Sequence, residues 1–218
     1  MIVTSHAKLG ASNTKTGFWL EELAAPYLEF KSQGAEVDIA SPAGGRPPAD
    51  PKSEANPTPA VRAFLDDGGA VAKLAGTLRL AEVKASYDGY FVVGGHGVMW
   101  DLAEDATLGT LLVQAYEQGR VIAAVCHGPA ALVNVRLTSG RYLVADKRVA
   151  AFTNAEEAAV GLDKVVPFAL ESRLKARGAK HEGAPMWTSF AVRDGNLITG
   201  QNPASSVAVA QATLAALA

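Results

Sequence analysis

The chain holds one cysteine, and its surroundings are those of a nucleophile. Cys126 follows the apolar run Val121-Ile122-Ala123-Ala124-Val125 and precedes His127-Gly128-Pro129. An uninterrupted apolar run bounded by Gly119 and by Gly128-Pro129 reads as a strand buried on both faces of a parallel sheet. Ala130-Ala131-Leu132-Val133 then opens a helix, with Pro129 in its first turn. Cys126 therefore stands on a sharp strand-to-helix turn, which lifts a nucleophile clear of the sheet and aims N–H groups at it. A helix start and the neighbouring His127 both favour thiolate, so the sequence predicts a reactive, accessible thiol of lowered pKa.

Three further stretches carry groups suited to the same chemistry. Glu22 lies on the apolar stripe Trp19, Leu23, Pro26/Tyr27, Phe30 of a helix over residues 17–33, which Thr14 or Thr16 can cap. A carboxyl on such a face is predicted to be buried and protonated, able to donate a hydrogen bond. Pro26 also deprives the Glu22 carbonyl of its helical partner. Gly94-Gly95-His96-Gly97 ends the buried strand Tyr90-Phe91-Val92-Val93. It lacks a phosphate-binding lysine and dinucleotide spacing, and reads better as an oxyanion-hole loop, with the Gly94 or Gly95 N–H facing the Cys126 turn. His96 reads as a hydrogen-bonding loop residue. Thr153-Asn154-Ala155-Glu156-Glu157 opens a helix by capping-box logic. Capping occupies one acid and leaves the other free.

These groups need a scaffold. Strands near residues 2, 37, 91, 122 and 149 alternate with helical segments, and 189–192 with 196–199 reads as a hairpin closed at Asp194-Gly195. The expected fold is α/β: a flavodoxin-like, doubly wound, mostly parallel sheet with helices on both faces and a C-terminal β-hairpin. Residues 1–218 are expected to form a single domain, with a Pro/Gly-rich loop at 43–59 long enough to line a site. Short helices are expected at 60–65 and 70–74, and longer ones at 105–118, 165–176 and 204–217. Residues 77–84 suit an edge strand.

Composition narrows the function. The formal net charge is −2 and the basic residues form no run, which disfavours nucleic acid and anionic membrane as partners. No stretch has the length of a membrane span, and the first residues carry no basic, apolar targeting segment. One unpaired Cys suits a reducing cytoplasm. It excludes an all-cysteine metal site, and four dispersed His make zinc an unexpected ligand.

Taken in order, Thr16-Gly17-Phe18-Trp19-Leu20-Glu21-Glu22, Val93-Gly94-Gly95-His96-Gly97, Ala124-Val125-Cys126-His127-Gly128-Pro129, Phe152-Thr153-Asn154-Ala155-Glu156-Glu157 and Thr199-Gly200-Gln201-Asn202-Pro203-Ala204-Ser205 resemble the ThiJ/PfpI superfamily, a class I glutamine amidotransferase-like group. The set spans essentially the whole chain and looks most like the heat-shock chaperone and glyoxalase III branch. The resemblance implies a glyoxalase that converts methylglyoxal to lactate with no glutathione, cofactor or metal. It implies Cys126 as nucleophile with His127 beside it, Glu157 as the acid of the triad, and Glu22 as the buried glutamate contacting the thiol. It places the oxyanion hole at the Gly94, Gly95 and His127 backbone, and implies a homodimer. The residues independently suit thiolate addition to an aldehyde and proton transfer through an enediol by His127 or Glu22. Competing readings are a cysteine amidase or peptidase, and a holdase chaperone or redox sensor using Cys126.

Overall fold

The computed structural model describes residues 1–218. Its helices are α1 (Leu20–Ser32), α2 (Pro51–Ala55), α3 (Pro59–Asp66), α4 (Gly68–Ala75), α5 (Ala106–Glu117), α6 (Asn154–Ala159), α7 (Leu170–Ala176) and α8 (Ser206–Leu217). Its strands are β1 (Ala40–Ser41), β2 (Leu78–Arg79), β3 (Gly89–Val92), β4 (Val121–Val125), β5 (Arg148–Val149), β6 (Lys180–His181), β7 (Ala191–Asp194) and β8 (Leu197–Gly200). The first strand is reduced to Ile2, which bridges Ala40 on one side and Val92 on the other. The main sheet thus runs β2–β1–Ile2–β3–β4–β8–β7, parallel except for β7, which pairs antiparallel with β8 as a hairpin. This is the flavodoxin-like doubly wound sheet expected. β5 and β6 form a separate parallel pair.

β4 is central and buried along its whole length. Its side chains alternate between two cores, as strand geometry requires. Ile122 and Ala124 pack with Leu108 and Leu112 of α5. Val121, Ala123 and Val125 pack with Leu23, Tyr27 and Phe30 of α1 and Val209 of α8. The carboxyl ends of β3 and β4 lie side by side, so Gly94 and Cys126 emerge at one edge.

Several boundaries differ from expectation for identifiable reasons. α1 starts at Leu20, and neither Thr14 nor Thr16 caps it. Residues before it are held extended, with the Phe18 N–H donating to the Pro48 carbonyl and the Thr16 hydroxyl to Asp50 Oδ2. The approach is so close that a Cβ on Gly17 would lie 1.9 Å from the Pro48 oxygen. The 43–59 stretch is not all loop: the Asp50 carboxylate accepts from the Lys52 N–H and starts α2 at Pro51. Of residues 36–39 only Ile39 bonds to β2, its carbonyl accepting from the Leu78 N–H; the Lys73 ammonium takes the Val37 carbonyl and the Met1 amine takes that of Asp38. α7 begins only after Pro167, which disfavours helical backbone in the residue before it. The residues directly after Cys126 do not form an α-helix. Gly128–Leu132 is a 3-10 turn, with Ala130 N–H donating to the His127 carbonyl and Val133 N–H to that of Ala130.

Candidate active site

Cys126 has φ 59°, a left-handed conformation uncommon outside glycine. The elbow is pinned on both sides: its N–H donates to the Gly200 carbonyl at 2.9 Å, and its carbonyl accepts from the Phe152 N–H at 2.9 Å. That turn swings His127 back so that its Nδ1 lies 3.3 Å from the Cys126 sulfur. His127 Nε2 lies 2.8 Å from Glu157 Oε2, and His96 Nε2 lies 2.8 Å from Glu157 Oε1. A carboxylate only accepts, so each Nε2 carries a proton. Nδ1 of His127 is then bare and faces the thiol, which is the arrangement a Cys–His–Glu triad requires.

The charges follow from burial and bonding. Burial opposes ionisation of Glu157, but the hydrogen bonds from His127 and His96 outweigh it and hold the carboxyl at about 2. Burial, with His96 adjacent, pushes His127 down to about 4, so its ring is neutral at pH 7. Burial pushes the Glu22 carboxyl up to about 8, against smaller opposing contributions from Cys126 and the Gly94 N–H. Glu22 is fully buried, the protonated state anticipated from its apolar stripe.

Cys126 departs from expectation. It is 3% exposed, and burial together with the Glu22 carboxyl pushes its thiol well above the ordinary range. The 3-10 turn that replaces the expected helix brings no long dipole to offset this. The thiol is therefore kept protonated at rest, with His127 positioned to take its proton.

The oxyanion loop is also revised. The Gly94 N–H donates to Glu22 Oε2 at 2.9 Å and is occupied. A Cβ on Gly94 would lie 2.3 Å from that oxygen, so glycine is there to admit the carboxyl. Glu22 Oε1 is buried with no nitrogen or oxygen partner, and the carboxyl lies against the Cys126 thiol. Of the three backbone donors named from sequence, Gly95 and His127 remain.

The adjacent acids divide as the capping argument required. Glu156 caps, with Thr153 N–H donating to its Oε2 at 3.0 Å. Its Oε1 accepts from the Trp187 N–H, Gln201 Nε2 and Asn202 Nδ2. The Gly200-Gln201-Asn202-Pro203 motif is thus a brace for the segment that carries Glu157. Sequence reading missed the contact of His96 with the triad acid. The available signal was topological: β3 and β4 are neighbours, so the loop after β3 lies beside His127, the ring that Glu157 also bonds.

His96, His127 and Glu157 bring three possible metal-ligand atoms within 4.8 Å of one another. Here the His96 and His127 Nε2 atoms each bond to a Glu157 oxygen, so a metal on all three residues would displace both hydrogen bonds. A cavity of about 810 Å³ opens around Met1, Val37, Tyr87 and Leu217 and includes none of Cys126, His127 and Glu157. No helix is long and apolar enough to cross a membrane.

The DJ-1/PfpI family model matches residues 14–216. The glutathione-independent glyoxalase HSP31 of Saccharomyces cerevisiae is 30% identical, across 95% of this chain and 92% of its own length. The crystal structure of glyoxalase III from Candida albicans superposes with TM-score 0.91 at 27% identity, covering 99% of this chain and 95% of that one. The Rapid Encystment Protein 24 kDa of Francisella tularensis superposes with TM-score 0.97 at 40% identity, covering 100% and 97%.

Proposed function

The chain belongs to the DJ-1/PfpI family, and from that premise we propose that it is a glutathione-independent glyoxalase that hydrates methylglyoxal to lactate at Cys126. The observation that carries this reading is Glu22: a fully buried carboxyl, held protonated by burial, that lies against the Cys126 thiol. Acyl transfer by an amidase needs only the Cys126–His127–Glu157 set. Moving a proton between two carbons needs a further acid–base group near neutrality, and Glu22 suits that task.

In the proposed sequence, His127 Nδ1 takes the thiol proton as sulfur adds to the aldehyde carbon. Glu22 protonates the new alkoxide, giving a thiohemiacetal. As a carboxylate it then removes the hydrogen on that carbon, while the imidazolium protonates the oxygen of the former ketone. Glu22 returns the proton to the second carbon and recovers one from the hydroxyl on the first, leaving a thioester. Water activated by His127 hydrolyses the thioester, freeing lactate and the thiol. The Gly95 and His127 N–H groups serve the developing oxyanions. Purified protein given methylglyoxal and no thiol cofactor should form lactate; no turnover under those conditions overturns the reading.

Glu157→Gln tests the triad separately. The carboxylate raises the affinity of His127 for a proton. Its loss should lower activity less than changes at Cys126 or Glu22 do, and should move the acidic limb of the pH–rate profile to lower pH. A limb that stays in place would detach Glu157 from His127 in catalysis.

Family membership also supports a homodimer, and the single unpaired Cys126 supports work in a reducing cytoplasm. Light scattering at micromolar concentration should give twice the 22.6 kDa chain mass; the monomer mass would refute the dimer.

A further inference from the structure

Trp187 is held in an unfavourable backbone conformation that its side chain does nothing to offset by packing in the core. Its φ is 63°, a genuine outlier for a bulky side chain. Its ring fills no core: Trp187 is 49% exposed and the preceding Met186 47%. The segment is nevertheless fixed. The Trp187 N–H donates to the buried Glu156 carboxylate at 2.9 Å, and the Thr188 carbonyl accepts from Asn202 Nδ2 at 3.0 Å. The Gln201 side chain bonds both the N–H and the carbonyl of Ala184. Backbone strain that persists because its surroundings enforce it concentrates at functional sites.

The place where the strain aims the ring is informative. The Trp187 indole sits 5.8 Å, centroid to centroid, from Phe152. Phe152 in turn lies 4.4 Å from the His127 ring, and its N–H is bonded to the Cys126 carbonyl. An exposed apolar surface of Trp187 and Met186 therefore continues the aromatic wall that begins at the triad histidine. It stands on a braced loop, so little ordering is lost when something binds it.

We propose that Trp187, with Met186, forms an apolar subsite for the substituent on the ketone carbon of the substrate, so that the enzyme favours 2-oxoaldehydes bearing aryl or longer alkyl groups over glyoxal. This inference rests on the glyoxalase reading for the identity of the reacting group. The Phe152 wall places such a substituent beside His127 while the aldehyde carbon faces the Cys126 sulfur.

The test compares phenylglyoxal, methylglyoxal and glyoxal in wild type, Trp187→Asn and Trp187→Phe. Asparagine tolerates left-handed backbone, so this variant removes the ring without worsening the strain. Wild type should show the highest kcat/KM for phenylglyoxal. Trp187→Asn should lower kcat/KM for phenylglyoxal roughly tenfold more than for glyoxal, chiefly through KM, and Trp187→Phe should keep most of the preference. A wild type without preference, or equal losses for both aldehydes in the Asn variant, overturns the subsite. A chain that turns over no aldehyde ends the glyoxalase reading instead. The subsite is then judged by calorimetric binding of mandelate against glycolate, the acids those two aldehydes would yield. Mandelate bound about tenfold more tightly by wild type, with the difference gone in Trp187→Asn, upholds it. Equal affinities in wild type refute it.

Discussion

Cys126→Ser should abolish methylglyoxal turnover, with a loss of roughly 10⁴-fold or more, the scale seen when a nucleophile is removed from a concerted site. The cause lies in the neighbouring base. His127 is neutral at pH 7 and, at about 4, only a weak proton acceptor. It can draw a proton from a thiol during attack, but a serine hydroxyl is a far weaker acid. The fold should survive, since the elbow is held by backbone bonds from Cys126 to Gly200 and from Phe152 to Cys126, which serine keeps. Lactate formation and thermal unfolding measured on the same preparation decide the matter. Persistent turnover in a folded variant would place the nucleophile elsewhere.

Glu22→Gln should separate activity from stability in opposite directions. Glutamine keeps the shape and a donor N–H, and its carbonyl can still accept from Gly94, but it cannot move a proton. If Glu22 is the shuttle, kcat falls by roughly 10²–10⁴-fold, the usual worth of a general acid–base group. Stability should rise with pH relative to wild type. The folded carboxyl titrates at about 8 against 4.5 for an unperturbed one. Below the lower value both states hold the proton and nothing is lost. As pH rises between the two, the unfolded chain releases its proton and the folded chain does not, so wild-type stability declines until the folded carboxyl ionises. Glutamine escapes this decline. The variant should match wild type near pH 4 and exceed it at pH 8 by on the order of 4 kcal/mol. Denaturant unfolding at the two pH values measures the difference. Near wild-type kcat in this variant, with Glu157→Gln inactive, would reassign the proton transfer to His127.

What the sequence disclosed, and what it hid, divides along the range of the interactions involved. The β4 run and the His-Gly-Pro after Cys126 specify an elbow locally, and 3.6-residue periodicity was enough to flag Glu22 as a carboxyl on the wrong face. The doublet Glu156-Glu157 announced its division of labour because a cap uses only one acid. The state of the thiol was hidden, because local context and burial have opposite effects on it. Local context argued for thiolate, while the packing that buries Cys126 beside Glu22 joins segments distant in sequence. The Gly94 N–H was misassigned for the same reason: its acceptor, Glu22, is 72 residues away. His96 reads correctly as a hydrogen-bonding loop residue, but nothing near it in sequence names Glu157 as its partner, and nothing near Trp187 names Phe152.

The placement of β4 also governs how the chain can be made. It pairs with β3 on one side and with β8 on the other, and β8 lies more than 70 residues later, at Leu197–Gly200. While a ribosome is still adding the segment from 126 to 196, one side of Val121–Val125 has no strand to bond. An apolar edge with free N–H and carbonyl groups is the kind of surface on which unfinished chains adhere to one another. The elbow is unfinished over the same interval, because the Cys126 N–H finds its acceptor only in Gly200. The turn at Cys126 is therefore fixed only once β8 has been made, and a chain truncated before β8 would carry Cys126 and His127 without the bond to Gly200 that holds the turn.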